Sequence, residues 1–422
     1  MKAVVLAAGK GERLGSSLPK PLVKILGRTL IDRVIDSLEK AGIKDIIVVY
    51  SDPRVKAYLE GRVELVYNDN VEREGGYSLL KGTEAAGHEP FVLVMSDHIF
   101  DSTIVSKLLE AKPATTTLCV DRSFEGRDLE EATKVLVGED GKILDIGKEI
   151  AEYNALDTGI FYCTQDVLEA ARSFTGKFTV TDVMKKLVAQ RKLHAFDVTG
   201  HFWWDVDTQK ELKRAEDALL RSLIKPVDGI ISRHINRKIS LRISRMLVTT
   251  PVTPNAISIF SFLLGALSGA LFAFGHAALA GIMAQVSSII DGCDGEIARL
   301  KGIASPYGAF LDATLDRYAD MLILLGIIAS QPEKYWLVGG LAMLGSYSIS
   351  YTGSRAEIYG ITFVNLTENL MKRDMRLFLI FLAGVANQLF AVLLLLAVLC
   401  NLVVLNRFIQ FPKLLAARGV KI

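Results

Sequence analysis

Four aspartates pose the first chemical question. Asp291 and Asp294 stand three residues apart, and Asp312 and Asp316 four apart, near the ends of two apolar stretches. At helical pitch each pair lies on one face, so two successive helices can bring all four carboxylates to one cavity. A carboxylate at membrane depth costs about 2.5–3.5 kcal/mol on insertion scales. Four of them, with no lysine or arginine partner between them, need a positive ligand. Two Mg2+ ions supply that charge and can clamp a pyrophosphate from both sides. Gly295, Ala298 and Gly308 leave room for a nucleotide against the helix backbone. Alone, such small residues read as membrane helix packing; beside the aspartates they read as the wall of a cleft.

A second constellation opens the chain. Leu6-Ala7-Ala8-Gly9-Lys10-Gly11-Glu12-Arg13 comes directly after a short β-rich run, and Pro19-Lys20-Pro21-Leu22 follows it. Glycines in such a loop let backbone N–H groups approach a triphosphate, and Arg13 and Lys20 can carry the charge that develops on departing pyrophosphate. Further on, Asp97 ends the strand-like run Val94-Met95-Ser96-Asp97, and Trp203-Trp204-Asp205-Val206-Asp207-Thr208 offers two more carboxylates.

Elements must hold these residues in place. A chain of 422 residues suggests two or three domains of about 150 residues. Up to Val248 charged and apolar residues mix as in a soluble α/β protein, whereas from Asn255 long apolar stretches dominate. Buried strands are expected at residues 3–6, 45–50, 63–67, 91–95 and 116–120, and helices at 30–41 and 105–111. This alternation predicts a doubly wound, Rossmann-like α/β domain over 1–222, with ligands at the carboxyl ends of its strands.

Residues 209–223 read as a charged amphipathic helix. In the linker 223–250, basic residues from Lys225 to Arg245 interleave with isoleucines and leucines and suit a helix lying on an anionic leaflet. An all-α transmembrane domain over 251–422 follows, with six spans at 255–275, 277–299, 307–329, 335–352, 368–387 and 389–410. The apolar run 377–405 is divided near 386–388, the fifth helix starting in polar residues. With the N-terminal domain inside, Arg299, Lys301, Arg355, Lys372, Arg373, Arg376, Lys413, Arg418 and Lys421 all fall on the cytoplasmic side.

Composition narrows the choices further. Lys plus Arg at 49 nearly balances Asp plus Glu at 47, which gives no reason to expect a nucleic-acid partner. Cys119, Cys163, Cys293 and Cys400 show neither paired nor metal-ligand spacing and are expected to be reduced. Residues 1–8 lack a basic n-region and a cleavage site, so no secretory signal is expected.

Residues 1–220 resemble the sugar-phosphate nucleotidyltransferases, through the loop from Leu6 to Arg13 and through Pro19-Lys20-Pro21-Leu22. The resemblance implies nucleotide contacts from Leu6, Ala7, Gly9 and Gly11, and catalytic roles for Arg13 and Lys20. It implies Mg2+ on Asp97, with a second ligand at Asp207 or Asp205, of which Asp207 has the more familiar setting. Base recognition falls at Gly76, Tyr77 and Ser78, and the alcohol phosphate at Lys148 and Gly159.

Residues 250–410 are similar to the CDP-alcohol phosphotransferases: Asp291, Asp294-Gly295, Ala298-Arg299, Gly308, Asp312 and Asp316 reproduce the spacing that defines them. This implies Asp291, Asp294 and Asp312 as metal ligands. Asp316 stands at the edge of the same metal site as the general base that an attacking alcohol requires. Asn255, Gly295, Ala298, Arg299 and Gly308 would face the nucleotide. Arg355, Arg373 and Arg376 match basic positions of the family and suit a phosphate on the acceptor.

The two halves share an intermediate, since one makes a CDP-alcohol and the other consumes one. Their fusion resembles the bifunctional enzymes that join an inositol-1-phosphate cytidylyltransferase to a di-myo-inositol-phosphate-phosphate synthase. It implies CTP, inositol 1-phosphate and CDP-inositol as ligands. It also implies a multi-pass protein of the cell membrane, in contact with lipid, with the N-terminal domain and C-terminus cytoplasmic and a homodimer formed through the membrane domain. Two rivals stay open: a phospholipid head-group synthase that activates another alcohol phosphate, and an ion-coupled transporter, because intramembrane carboxylates also mark ion paths.

Overall fold

The computed structural model describes residues 1–9, 11–225, 227–363 and 365–418, so Lys10 of the glycine-rich loop and the C-terminal Lys421 lie outside the described residues. The chain divides into two compact units, Met1–Leu219 and Leu220–Ile422.

In the first unit the elements run β1 (Lys2–Ala7), β2 (Lys24–Ile25), β3 (Arg28–Thr29), α1 (Leu30–Lys40), β4 (Asp45–Tyr50), α2 (Pro53–Leu59), β5 (Glu64–Tyr67), α3 (Glu74–Ala86), β6 (Phe91–Met95), β7 (His98–Phe100) and α4 (Ser102–Ala111). Then come β8 (Thr116–Asp121), β9 (Lys134–Val137), β10 (Ile143–Gly147), β11 (Ala155–Cys163), α5 (Asp166–Arg172), α6 (Val180–Ala189), β12 (Leu193–Asp197), β13 (Trp203–Asp205) and α7 (Gln209–Ser222). All five strands and both helices expected from the sequence are present.

The parallel core has the order β5, β4, β1, β6, with β1 in the middle. Val4 and Val5 on successive faces of β1 are both fully buried, as a strand covered by helices on both sides requires. Beyond β6 the expected doubly wound pattern changes. The long strand β11 runs antiparallel to β6, β8 and β9, so the nine-stranded sheet is mixed. The pairing of Leu6 with Met95 sets the carboxyl ends of β1 and β6 side by side. The glycine-rich loop and Asp97 therefore leave the sheet at the same edge.

The second unit is helical: α8 (Arg237–Leu247), α9 (Pro254–Ala273), α10 (Ala277–Lys301), α11 (Pro306–Ser330), α12 (Pro332–Glu357), α13 (Leu366–Leu370), α14 (Arg373–Val385) and α15 (Leu389–Ala416). Five of the six expected spans correspond to single long helices. The fifth does not: residues 366–370 form a separate turn of helix, and α14 begins at Arg373 with 13 residues. The division near 386–388 holds, with Asn387 at φ 54 between α14 and α15. Two helices, Pro254–Ala273 and Leu389–Ala416, are long and apolar enough to cross a membrane.

The linker helix α8 does more than expose basic residues. Lys238, Ile239 and Arg242 are exposed, but Ser240 and Ser244 are fully buried and donate to Glu296 of α10, each at 2.6 Å. Arg237 completes the ring with bonds to the same carboxylate at 2.6 Å and to the Gly292 carbonyl at 3.1 Å. Glu296 is 0% exposed, and a buried charge of that kind stands only when matched and hydrogen-bonded.

Helices α9 and α11 touch backbone to backbone at Gly269 and Gly326, where a Cβ on Gly326 would strike the Gly269 carbonyl. Gly326→Ala should therefore destabilise the detergent-purified protein by about the 1–3 kcal/mol typical of overpacking, read as a lower thermal unfolding midpoint. Gly340→Ala, where a Cβ meets nothing within 4 Å, should be neutral or slightly stabilising. Equal behaviour of the two variants would remove the close helix contact.

Candidate active sites

The first site gathers where β1 and β6 end. Gly11 has φ +65, and a Cβ there would come within 2.7 Å of Lys20 Cβ, so the loop can close over Lys20 only with glycine at that position. Lys20 Nζ lies 2.5 Å from Asp97 Oδ2 and also bonds Asp207 Oδ1. Arg13 reaches Asp207 and Glu131, each at 3.2 Å. Asp207 is held by the start of α7: Glu211 Oε2 accepts from the Asp207 and Thr208 backbone amides at 2.9 and 2.7 Å. Burial works against ionisation of both Lys20 and Asp97. Their mutual attraction, helped by Asp207 on one side and His98 on the other, raises the lysine and holds the Asp97 carboxyl well below the usual carboxylate range.

Behind this cluster lies a cavity of about 290 Å³ lined by Asp97, Lys148, Gly159, Asp205 and Asp207 among others. Lys148 Nζ bonds Glu131 at 3.0 Å. Gly159, at φ +71, leaves the space that the His98 ring fills, since a Cβ there would fall 2.6 Å from His98 Nε2. Asp205 stands opposite His98 across the β7–β13 pair. Both late carboxylates line the cavity, and of the two Asp207 is the one that shares Lys20 with Asp97. Burial pushes the Asp157 carboxyl up to about 6.

Two openings of about 470 and 280 Å³ flank the glycine-rich loop, and Gly9 lines both. Ser78 lines the smaller and accepts from Asn68 Nδ2 at 2.8 Å. Leu6 belongs to β1, and Ala7 borders the larger opening. Gly76 does not fit base recognition. It is packed under Phe178, whose ring and carbonyl a Cβ would strike, and its amide donates to that carbonyl at 3.0 Å. Its small size is needed for packing. Tyr77 is turned to Asp69 at 3.0 Å.

In the helical unit, oxygens of Asp291, Asp294 and Asp312 lie within 4.8 Å of one another. Asp294 accepts from Ser258 Oγ and from the Gly295 amide, and Asp291 accepts from Ser261 Oγ at 3.2 Å. Three converging carboxylates are the hard oxygen donors that a divalent cation such as Mg2+ takes. Beside them a cavity of about 350 Å³ is lined by Asn255, Ser258, Asp294, Gly295, Ala298, Arg299, Gly308 and Asp312. Every nucleotide-contact residue expected here from the sequence reaches that one cavity. Ser305 caps α11 through the Gly308 amide at 3.0 Å, and Gly308 approaches Asn255 so closely that a Cβ would lie 3.3 Å from its Oδ1.

The expectation that these aspartates lack a basic partner fails. Arg373 NH1 lies 2.8 Å from both Asp291 Oδ2 and Asp316 Oδ1, and its Nε lies 2.9 Å from Asp320 Oδ1. Asp316 thus stands outside the close trio and joins it through the guanidinium. Arg373 and Arg376 were expected to face an acceptor phosphate. Instead Arg373 is held by three carboxylates, and buried Arg376 bonds the Ser346 carbonyl at 3.0 Å and Asp320 at 3.5 Å. Arg355 is exposed at the end of α12.

Asp320, Ser261 and Glu296 lie outside the residues that the sequence points to. Asp320 continues the four-residue spacing of Asp312 and Asp316, and Ser261 follows Ser258 by three; both signals were readable. Glu296 sits inside the motif, yet its partners on α8 are more than 50 residues away.

Two domain families match the chain: the MobA-like NTP transferase domain over residues 3–192 and the CDP-alcohol phosphatidyltransferase over residues 251–409. A "Bifunctional IPC transferase and DIPP synthase" of Aquifex aeolicus is 36% identical over 97% of this chain and 98% of its own length. One of the same description from Rubrobacter xylanophilus is 37% identical over 97% and 96%. An archaetidylinositol phosphate synthase of Pyrococcus horikoshii is 34% identical over 41% of this chain and 90% of its own length. The solved structure of the inositol-1-phosphate CTP transferase from T. maritima is 29% identical with a TM-score of 0.47, over 51% of this chain and 94% of that one.

The Arg373 geometry makes a prediction. Arg373→Gln leaves Asp291, Asp316 and Asp320 without their shared cation, and breaking such a buried arrangement costs about 3–5 kcal/mol. The variant should melt earlier than wild type without divalent cations, and millimolar Mg2+ should raise its melting temperature more than that of wild type. Equal Mg2+ shifts would show that the guanidinium and the cation do not answer the same charge.

Proposed function

This chain belongs to the family of the bifunctional IPC transferase and DIPP synthases, and on that premise we propose a division of two reactions between its two units. In the N-terminal unit, CTP and inositol 1-phosphate give CDP-inositol and pyrophosphate. In the helical unit, CDP-inositol and a second inositol 1-phosphate give a phosphorylated di-inositol phosphodiester and CMP. The carrying observation is that one chain, matched over nearly its whole length by bifunctional relatives, contains both carboxylate sites.

In the first reaction a phosphate oxygen of the alcohol phosphate attacks the α-phosphorus of CTP in line, and catalysis is positioning plus charge neutralisation. The glycine-rich loop, with Leu6, Ala7, Gly9 and Gly11, receives the triphosphate. Ser78, beside the opening at Gly9, is within reach of the base. Lys20 and Arg13 neutralise the pyrophosphate as it leaves. Asp97 and Asp207 would hold Mg2+, with Asp205 left to the cavity beside Lys148 and Gly159. For Lys20 this requires only that its ammonium turn from the carboxylates toward the phosphates.

In the second reaction an alcohol oxygen attacks the β-phosphorus, and CMP leaves. Asp291, Asp294 and Asp312 would hold Mg2+, which supplies charge to the pyrophosphate when bound. Asn255, Gly295, Ala298, Arg299 and Gly308 border the cavity that receives the nucleotide. Asp316, outside the trio, takes the proton of the attacking alcohol. Arg373 orients Asp316, and Arg355 is left as the exposed arginine for the acceptor phosphate. The helical unit is read as a six-span, multi-pass membrane domain in contact with lipid and paired as a homodimer, with the N-terminal unit and the C-terminus cytoplasmic. An archaetidylinositol phosphate synthase among the relatives keeps a phospholipid head-group synthase as the second reading, with a lipid acceptor.

The activities should separate by mutation. Lys20→Ala or Asp97→Asn should abolish formation of CDP-inositol while the protein still consumes CDP-inositol supplied from outside, as product analysis by mass spectrometry would show. Loss of both reactions in a folded variant would refute the two-site reading. Product from an inositol lipid but none from inositol 1-phosphate would favour the lipid acceptor.

Asp316→Asn should leave Mg2+-dependent binding of CDP-inositol nearly intact while transfer falls by about 10²- to 10⁴-fold, the span of general base catalysis. Asp291→Asn should weaken binding and transfer together. Full transfer by the Asp316 variant would move the base elsewhere.

A further inference from the structure

We propose that the junction segment 227–232, near the start of the helical unit, is a working part of the second site: it grips α14 on both sides of Arg373 and so sets where that guanidinium stands among the aspartates. Asp374 is then a positioning residue for transfer, acting through Arg373 on Asp316. The inference rests on reading Asp316 as the base of the helical unit, and it adds to that reading a requirement for residues outside the cavity.

Arg373 opens α14, a helix of 13 residues, and the junction holds both of its neighbours in sequence. Lys372 Nζ donates to the Val227 carbonyl at 2.8 Å. On the other side, Asp374 Oδ2 accepts from the Ser232 amide at 2.6 Å. Gly229 is buried against the same carboxylate, and a Cβ there would strike Asp374 Oδ1. Only glycine lets the junction come this close.

The grip uses the chemistry of a helix end. Residues 230–247 run as one helix, through a π-turn at Ser232–Asn236 into α8. The N–H groups of a first helical turn find no carbonyl within their own helix, and their dipoles favour a negative charge. Asp374 supplies both an acceptor and that charge from a different helix. It also lies in the first turn of α14 itself, so one carboxylate serves two helix starts.

The junction is anchored at its far end as well. Asp228 accepts from Arg237 Nε at 3.0 Å, and Arg237 bonds Glu296 of α10 at 2.6 Å. A closed circuit results. From Asp291 on α10 it passes through Arg373 at 2.8 Å to Asp374, crosses to the junction, and returns through Asp228 and Arg237 to Glu296. At the other end of this helix pair a Cβ on Gly281 would strike the Phe381 carbonyl, and one on Gly384 the Ala277 carbonyl. Close packing thus fixes one end of the α10 and α14 pair, and the circuit fixes the end that carries the aspartates.

The test uses purified full-length protein in detergent with supplied CDP-inositol, inositol 1-phosphate and Mg2+. Asp374→Ala removes the grip, and Gly229→Ala displaces the same carboxylate from the junction side. In each variant kcat for transfer should fall about 10- to 100-fold, the scale of a misplacement of about 1 Å. KM for CDP-inositol should stay within about twofold, because Asp291, Asp294 and Asp312 are untouched. Asp374→Asn, which keeps an oxygen for the Ser232 amide, should lie between wild type and Asp374→Ala. A second measurement needs no turnover. Without divalent cations both alanine variants should melt earlier, and Mg2+ should raise their melting temperatures more than that of wild type, as for Arg373→Gln. Adding Asp374→Ala to Arg373→Gln should not enlarge the Mg2+ shift further, because both changes act on one interaction.

A wild-type Mg2+ shift in variants that only melt earlier would make the junction a structural tie and overturn the assignment. So would wild-type transfer, or effects of Asp374→Ala and Arg373→Gln that add. If wild type transfers nothing from CDP-inositol to any acceptor, the reading of the helical unit fails instead, while the Mg2+ shifts still decide whether the junction holds Arg373.

Discussion

Lys20 between Asp97 and Asp207, and Arg373 among Asp291, Asp316 and Asp320, answer one electrostatic requirement in two unrelated folds. Chemistry on a pyrophosphate needs several carboxylates close together, and carboxylates close together repel. A fixed basic side chain keeps each cluster assembled while its substrates come and go. On the proposed reading Lys20 turns from carboxylate to phosphate, whereas Arg373 stays with its aspartates. In this sense the clusters are not prepared cages but balanced charge sets, and much of the surrounding structure keeps the balance. Gly11 lets the loop close on Lys20, Glu211 holds Asp207 at the start of α7, and Asp320 fixes the Arg373 guanidinium by its Nε.

The helical unit meets the requirement with polar contacts between helices beside its apolar core. Ser258 and Ser261 on α9 face Asp294 and Asp291 on α10, and glycines at 269 and 326 bring α9 against α11. Small residues at the contacts let the carboxylate-bearing helices approach closely enough for their side chains to meet. The buried pair of Arg407 and Glu368, with Arg407 also on Thr352 at 2.7 Å, ties α15 to the short α13 and to α12 in the same manner. That tie lies on the separate turn of helix where the expected fifth span is broken. Residues around Glu368 serve as a bracket for Arg407, and the helix proper restarts at Arg373, where its guanidinium is needed.

What could be read from the sequence was local. The i, i+3 and i, i+4 spacing of the aspartates, the glycine-rich loop after a β-rich run, and the apolar runs of β1, β4 and β6 each carry their meaning within a few residues. The antiparallel β11 was harder to see, because a buried strand shows no sign of its direction. Arg373 meets Asp291 across 82 residues of sequence, and no spacing rule predicts such a meeting. For that reason the sequence alone points Arg373 to a phosphate instead of to the aspartates. Gly76 misled for another reason. A glycine required for packing under Phe178 looks the same in sequence as one required by a ligand.

The fastening of α8 to Glu296 has a further consequence. An apolar seam between two helices permits sliding and rotation, but four directional bonds from Arg237, Ser240 and Ser244 fix α8 in both respects. The exposed Lys238 and Arg242 are therefore set at a constant height and bearing relative to Asp291 and Asp294 on α10. In a bilayer, lysine and arginine settle at the level of the lipid phosphates. On the membrane reading proposed above, α8 would work as a depth gauge for Asp291 and Asp294, registering them against the bilayer surface to within about a helical turn.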